Sequence, residues 1–242
     1  MDNRFSPNGF FDISKRLFTD FFKSYAFVWE AIPTLPAYIS SVLKAQILGE
    51  IEEGAWVEPG MVRLEEGSRI ERGAVVKGPT IIGRNTVVRS HAYIRGSVMT
   101  GEDCLIGTGV EIRQTLMLDG SSVLHDNCIF TSLIGNGVGI DAHSSAANVR
   151  LDKKEIKLKI EENGETRVIP TGLNKFGAIM GDNTQISTLV VMMPGTLFGR
   201  GCIVYPHSQV GGYFPDGSVL GQAELLFEAV RKGEGIIGRK VP

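Results

Sequence analysis

A large aliphatic residue returns at nearly every sixth position over two stretches of the chain, residues 70–124 and 180–210. Mostly small residues stand four places after it, as at Ala74 and Cys104. A period of six matches neither the helical period of 3.6 nor the strand period of 2. It is typical of a β-solenoid, in which each hexapeptide forms one flat side and a corner. The repeated positions are Ile70, Val76, Ile82, Val88, Ile94, Thr100, Ile106, Ile112, Leu118 and Leu124, then Met180, Ile186, Met192, Phe198, Val204 and Val210.

The repeat is interrupted once. Its phase breaks near residue 130, and residues 148–177 are charged and lack the period. We expect these residues to leave the solenoid as a loop or hairpin that turns at Asn163-Gly164. Insertions of this kind often carry function on a repetitive scaffold.

The two ends of the chain read as helical. Residues 1–48 form a predicted N-terminal helical segment, with one amphipathic helix over 11–30 and a second over about 37–47. The solenoid is predicted over 49–221. The stretch "GQAELLFEAVRKG", residues 221–233, predicts a short helix that caps the last coil, and the predicted C-terminal cap comprises residues 222–242.

Composition narrows the functional classes. The chain has 242 residues and a net charge of -2, which gives no electrostatic reason to expect nucleic acid or an anionic membrane as a partner. The three cysteines form no CxxC pair, fall in the small interior position of the repeat and favour a packing role in a reducing cytoplasm. The most apolar N-terminal stretch is interrupted by Asp20, Lys23 and Glu30, so it is a poor membrane span.

Arg95 in "AYIRGS" and Arg113 in "VEIRQT" are three hexapeptides apart. On a three-sided solenoid this spacing stacks them on the same face of adjacent coils, which favours a shared anion site. The alternative is a solvated charge stripe paired with acids such as Glu111. His125, the only histidine in "SSVLHDNCIFTS", is either a packed structural residue or a catalytic residue. His91 and His207 are expected at surface corners of the solenoid.

The repeat and its insertion resemble the acetyltransferase half of bacterial bifunctional sugar-1-phosphate enzymes over about residues 70–212. The N-terminal stretch also resembles stand-alone solenoid proteins labelled UDP-N-acetylglucosamine pyrophosphorylase. The resemblance implies a mainly β fold, a left-handed parallel β-helix, and a homotrimer with sites in grooves between solenoids. Outer positions such as Ile81, Val87 and Tyr93 fit such packing. A glycine-rich phosphate loop of the GxGTR type is absent from this sequence, so we do not expect nucleotidyl transfer.

The same resemblance implies roles for individual residues. Arg95 and Arg113 would bind a sugar phosphate, a task that suits the planar guanidinium. His125 would be the general base, because histidine as a residue type titrates near neutral pH. Asn148 and Lys175 would position the sugar or the cofactor.

Further positions are implied in the insertion and near the co-substrate. Lys154 and Lys157 resemble loop lysines of archaeal relatives, and Ala142 and Ser144 lie where the family binds acetyl-CoA. No metal is expected. The sequence departs from the family at "DAHS", residues 141–144, and at Cys128, which replaces a tyrosine. His143 is either a replacement base or a surface residue.

These features favour an acetyl-CoA-dependent N-acetyltransferase of an amino-sugar 1-phosphate, with glucosamine 1-phosphate as the expected acceptor in UDP-N-acetylglucosamine synthesis. The alternative acceptors are galactosamine 1-phosphate and a nucleotide-linked amino sugar. The alternative to an enzyme is a non-catalytic solenoid that binds sugar phosphates or associates with a separate nucleotidyltransferase.

Overall fold

The computed structural model describes residues 3–162 and 164–221, most of which form a parallel β-solenoid. The strands in chain order are β1 (Gln46–Ile47), β2 (Glu50–Ile51), β3 (Trp56–Val57), β4 (Val62–Leu64), β5 (Arg69–Ile70), β6 (Val75–Lys77), β7 (Thr80–Ile82), β8 (Val87–Val88), β9 (Tyr93–Arg95), β10 (Val98–Thr100), β11 (Leu105–Ile106), β12 (Glu111–Met117), β13 (Ser122–Val123), β14 (Cys128–Ile134), β15 (Gly139–Ile140), β16 (Ser145–Ala146), β17 (Lys157–Glu162), β18 (Glu165–Pro170), β19 (Ala178–Met180), β20 (Gln185–Ile186), β21 (Val191–Met192), β22 (Thr196–Phe198), β23 (Ile203–Val204), β24 (Gln209–Val210), β25 (Tyr213–Phe214) and β26 (Val219–Leu220).

The strands stack into three flat sides. Side two is a sheet of nine parallel strands that runs from β2 to β26. Sides one and three belong to one sheet of 15 strands, because β12 and β14 each bend around the corner that joins them. Side one contains β1, β4, β7, β10, β19, β22 and β25, and side three contains β3, β6, β9, β16, β21 and β24. The predicted parallel β-solenoid is confirmed, and its left-handed sense is the one that the resemblance implies.

One corner of the solenoid loses a residue midway along the chain. Two residues separate Arg95 from Val98, but only Gln114, with a φ of 46°, separates Arg113 from Thr115. The parallel ladder consequently steps by 17 positions from Ile106 to Val123. The hydrophobic phase therefore shifts first at Gln114. It shifts again at Thr131, with a φ of 54°, where a single residue separates Phe130 from Ser132, so the predicted break near residue 130 is confirmed as the second of two shifts.

The shift corrects several predicted interior positions. Met117 and Val123 fill the solenoid interior, while Leu118 packs outside it and Leu124 is half-buried. Cys128 is exposed for the same reason, although Cys104 and Cys202 are buried as predicted.

The N-terminal segment is a chain of short pieces, so the predicted continuous helix over 11–30 is wrong. It contains a 3-10 helix at Asn3–Phe5, α1 (Pro7–Phe10), α2 (Arg16–Phe22), a 3-10 helix at Val28–Ala31 and α3 (Leu35–Val42). Aromatic side chains such as Phe5, Phe22 and Trp29 are all buried in one cluster. They bury their rings on a flat side of the solenoid, which a single straight helix could reach along only one stripe.

This segment covers the outer surface of side one. The middle residue of successive strands points outward there and is apolar, and each is buried under the segment. These residues are Ile81, Met99, Leu116, Leu133, Ile179 and Leu197. The predicted use of Ile81 in packing against another solenoid is therefore wrong, because the N-terminal segment of the same chain already covers it. Val87 and Tyr93 lie on sides two and three and are half-buried.

Polar contacts hold the segment in place. The carboxylate of Asp182 accepts hydrogen bonds from the backbone N–H of Asp12 at 2.5 Å and of Asn136 at 2.7 Å. Lys15 Nζ lies 2.6 Å from Asp119 Oδ2 and 3.0 Å from Glu102 Oε2. The hydrogen bond to Asp119 raises the pKa of Lys15.

The insertion leaves the solenoid at the corner between sides three and one. Strands β17 and β18 pair antiparallel, from Lys157 opposite Pro170 to Glu162 opposite Glu165, as a predicted hairpin requires. The predicted turn residue Asn163 and the predicted C-terminal helix of residues 222–242 lie outside the described residues.

In the described part of the chain, none of the helices has the length and apolarity needed to cross a bilayer.

We expect Leu116→Ala to lower the free energy of unfolding by about 2–5 kcal/mol, because it opens a cavity between side one and the N-terminal segment. Urea unfolding measures the change. Leu151→Ala is the matched control, since Leu151 is fully exposed and its loss costs no more than about 0.5 kcal/mol. Equal effects of the two substitutions would contradict the burial of side one.

Candidate functional site

Arg95 and Arg113 stack on adjacent coils at the end of side three. Strands β9 and β12 pair in parallel, with Tyr93 opposite Glu111 and Ile94 opposite Ile112. Hydrogen-bonded strands lie about 4.8 Å apart, so the two arginines project from the same face at that spacing. The predicted stacking is confirmed.

The two arginines line a cavity of about 260 Å³, which we call the arginine cavity. Asn148 and Lys175, at the two ends of the insertion, also line it. Four predicted substrate residues therefore meet at one site. The full lining is Arg95, Arg113, Gln114, Phe130, Thr131, Asn148, Val149 and Lys175.

The charges of the cavity are only partly compensated. Arg95 Nη1 lies 2.7 Å from Glu111 Oε1, and the Arg95 guanidinium carbon lies 5.8 Å from the centre of the Phe130 ring. Arg113 and Lys175 are exposed and make no ion pair with any residue of the described ranges. The alternative of a paired charge stripe thus holds for Arg95 and fails for Arg113. The cavity has an excess of positive charge and suits an anion.

Asn148 fixes the neck of the insertion. Its Nδ2 donates to Thr131 Oγ1 at 2.9 Å, and its carbonyl accepts from the Phe176 N–H at 2.9 Å. The amide oxygen of the side chain has no partner among the described residues, so it can accept a hydrogen bond from a ligand.

Sequence reasoning missed Phe130, Thr131 and Gln114. Phe130 lies directly above Arg113 in the parallel ladder, 17 positions on, where a strict period of 18 would have placed Thr131. The signal that could have found them is the shortened corner at Gln114.

The loop lysines are distributed differently from the prediction. Lys154 and Lys157 are exposed, and neither lines the arginine cavity. Lys153, which the sequence did not single out, lines a hollow next to that cavity. The roles assigned to Lys154 and Lys157 stay predictions.

His125 is exposed at the other end of side three. It precedes β14 by three residues, and Phe130 follows it by five, so the two ends of this side are about 15 Å apart along the strand. Cys128 is exposed between them. The His125 carbonyl accepts a hydrogen bond from the backbone N–H of His143 at 3.0 Å. His143 is exposed on the next coil, and His91 and His207 are exposed at the same corner, as predicted.

The two predicted cofactor residues lie one coil above His125. The Ala142 carbonyl accepts hydrogen bonds from the Leu189 N–H at 3.0 Å and from Thr188 Oγ1 at 2.8 Å. Ser144 is buried, and its hydroxyl donates to the Ser187 carbonyl and accepts from the Val190 N–H, both at 2.9 Å. A cofactor at this corner would meet the half-buried Ala142 rather than the Ser144 hydroxyl.

Cysteine chemistry differs between the interior and this side. Burial raises the pKa of the Cys104 and Cys202 thiols to about 11. Partial burial, followed by the charge of Glu111, also raises the pKa of Cys128. Over residues 3–162 and 164–221, no three His, Cys, Asp or Glu side chains are grouped as metal ligands would be.

Comparison with known proteins gives one family match. The model of the GMPPB C-terminal domain matches residues 76–220. The bifunctional sugar-1-phosphate nucleotidylyltransferase/acetyltransferase of Sulfurisphaera tokodaii is 28% identical over 182 residues, which are 75% of this chain and 44% of that protein. The bifunctional protein GlmU of Methanocaldococcus jannaschii is 30% identical over 165 residues, 68% of this chain and 39% of that protein. The chain thus spans less than half the length of these relatives.

Two further similarities are more distant. The putative uncharacterized acetyltransferase YaiX of Escherichia coli K12 is 24% identical over 208 residues, 82% of this chain and 88% of that protein. Among solved structures, the UDP-N-acetylglucosamine O-acyltransferase LpxA of Moraxella catarrhalis aligns with a TM-score of 0.37 and 14% identity, over 70% of this chain and 66% of that one.

We expect Arg113→Ala to weaken phosphate binding about 10- to 100-fold, since a hydrogen bond to a charged group contributes about 1.5–3 kcal/mol. Calorimetric titration with glucosamine 1-phosphate measures the loss. Arg84→Ala is the control, because Arg84 is exposed at a different corner and paired with Glu66. Equal affinities of the two variants would show that the arginine cavity is not the anion site.

Proposed function

Since the chain belongs to the family of the GMPPB C-terminal domain, we propose that it transfers the acetyl group of acetyl-CoA to the amine of an amino sugar that has a phosphate at C1. Glucosamine 1-phosphate is the simplest such acceptor. The observation that carries the proposal is the arginine cavity, in which Arg95, Arg113, Asn148 and Lys175 converge. The names of the bifunctional relatives support the class of reaction.

In this proposal the phosphate binds at the arginine end of side three. Arg113 and Lys175 supply charge that no described carboxylate compensates, and Arg95 is held in place by Glu111 and Phe130. Anchoring the phosphate orients the sugar along the side, over Cys128 and toward His125. Fixing the amine relative to the base in this way lowers the entropic part of the barrier.

His125 acts as the general base. It removes a proton from the ammonium group, and the free amine attacks the thioester carbonyl. The new C–N bond forms, the C–S bond breaks, and the thiolate of coenzyme A leaves with the electron pair of that bond. The attacking nitrogen is positively charged after the C–N bond forms, so His125, which has released the first proton to water, takes a second proton from that nitrogen and passes it to the thiolate. Backbone N–H groups near Ala142 could stabilise the oxyanion, in keeping with the predicted cofactor corner.

We further propose that the protein is a homotrimer that acts in the cytoplasm, in the synthesis of UDP-N-acetylglucosamine. With side one covered, association would use sides two and three. Val191 and Met193 on side three are apolar and about 40% exposed, which supports contact with another chain there. The absolute mass from light scattering tests this assembly.

The second candidate function is a non-catalytic solenoid that binds sugar phosphates or partners a nucleotidyltransferase. The specific observations that favour it are the exposed Cys128 in place of the family's tyrosine and the engaged hydroxyl of Ser144. It differs from the first proposal in releasing no coenzyme A.

We expect His125→Ala to lower the rate of coenzyme A release from acetyl-CoA and glucosamine 1-phosphate by about 10²- to 10⁴-fold, because it removes the base. His207→Asn is the matched control at the same corner, since asparagine tolerates its positive φ of 57°. Full activity of His125→Ala would move the base elsewhere, with His143 the next residue to replace. No release by the unaltered protein would favour the non-catalytic function.

We expect iodoacetamide to alkylate Cys128 in the folded protein at pH 8 and to spare Cys104 and Cys202, whose raised pKa values and burial keep them as thiols. Alkylation of Cys128 should accelerate as pH rises, because its thiolate fraction grows. Glucosamine 1-phosphate should slow it at least fivefold if the sugar lies over Cys128. Unchanged labelling with the acceptor bound would place the sugar on another path.

A further inference from the structure

A second hollow adjoins the arginine cavity, on the side of the N-terminal segment. Its volume is about 540 Å³, twice that of the arginine cavity, and we call it the side compartment. Gln114, Val149 and Lys175 line both spaces, so the two hollows are immediate neighbours, and we call them together the cleft. A sugar phosphate held by the arginines would leave the side compartment unused.

The walls of the side compartment are apolar. Ile32 and Pro33 come from the N-terminal segment, Val149 from the start of the insertion and Leu173 from its end. Ile32 is fully buried behind this wall and Leu173 packs against the same apolar cluster, so the wall is attached to the packed N-terminal segment. A shaped apolar space with a few polar groups is typical of a site for a small organic group.

Two amides supply the polar groups. Gln114 Nε2 donates to the Ile32 carbonyl at 3.1 Å, which sets the orientation of the Gln114 amide. Its Oε1 has no partner among the described residues and is left as an acceptor. Asn174 is exposed in the same wall and offers both a donor and an acceptor. Apolar faces beside amide donors and acceptors match a nucleobase, which has flat faces and a hydrogen-bonding edge.

Cations are spread along the whole cleft. Arg95 and Arg113 lie in the arginine cavity, Lys175 in the shared wall and Lys153 in the side compartment. Lys153 and Lys175 make no ion pair with any residue that the structure describes. A single phosphate at the arginine end would leave Lys153 without an anion, whereas two linked phosphates extend toward it.

We propose that the acceptor is a nucleoside-diphosphate-linked amino sugar, whose base and ribose occupy the side compartment. The diphosphate lies along Arg113 and Lys175, and the sugar extends over Cys128. This inference rests on the proposed function, because it names the form in which the phosphorylated amino sugar is bound. Gln114 and Asn174 are binding residues for the base and take no part in the proton transfer.

Calorimetric titration tests the side compartment without turnover. The probes are UDP, GDP and glucosamine 1-phosphate. We expect UDP or GDP to bind at least tenfold more tightly than glucosamine 1-phosphate. Asn174→Trp fills the side compartment from an exposed position and should weaken that nucleotide at least tenfold, with glucosamine 1-phosphate changed less than twofold. Leu151→Trp adds the same ring to a fully exposed site in the same insertion and should change neither affinity.

The retained affinity for glucosamine 1-phosphate in Asn174→Trp also shows that the variant is folded. If Asn174→Trp leaves nucleotide binding unchanged, or if neither nucleotide binds more tightly than glucosamine 1-phosphate, the inference is wrong, and turnover of glucosamine 1-phosphate would still support the proposed function. If the nucleotide binds through Asn174 but neither glucosamine 1-phosphate nor UDP-glucosamine is acetylated, the acetyl transfer is wrong and the nucleotide site remains.

Discussion

The hydrogen-bonded ladder between successive parallel coils is the constraint on which the rest of this molecule depends. Each strand must lie in register on the strand below it, so residues one coil apart form columns on every side. The interior columns make the core, the outer column of side one makes the seat of the N-terminal segment, and the column at the end of side three stacks Arg95, Arg113 and Phe130. A column of like-charged side chains about 4.8 Å apart repels itself, and the structure offsets this with Glu111 and the Phe130 ring at Arg95.

The columns were predictable from the sequence where the period is constant, and so was the phase break near residue 130, but the first change of period, at Gln114, was not. Leu118 and Leu124 continue the six-residue pattern beyond Gln114, while Met117 and Val123 stand directly before them. Either set could fill the interior, because hydrophobicity alone does not distinguish adjacent aliphatic residues. The corner decides the matter, and its conformation depends on a positive φ at a glutamine, which propensity does not predict. The N-terminal helix was overpredicted for a related reason, since its aromatic residues follow a flat surface that exists only in the folded protein.

The candidate site was also predictable from the sequence only in part. The column rule and the resemblance placed Arg95, Arg113, Asn148 and Lys175, and the structure brings these four together. The side compartment could not have been predicted, because Ile32 reaches it from a segment about 80 positions away from Gln114 along the chain. The distance between His125 and the arginines also depends on the structure, which sets them at opposite ends of one side.

The contacts of the N-terminal segment constrain the order of events during synthesis. Asp182 binds the backbone of Asp12 across 170 positions, and Arg200 donates to the Asn8 carbonyl across 192. A ribosome adds about 5–20 residues per second, so the phenylalanines of the segment leave the exit tunnel about 10 to 30 s before the coils that anchor them. During that interval the nascent chain presents an aromatic stretch whose binding surface on side one is still incomplete, and exposed aromatic stretches are the kind of sequence that chaperones bind. The N-terminal segment can therefore complete its contacts with side one only after the coils that hold Asp182 and Arg200 have wound.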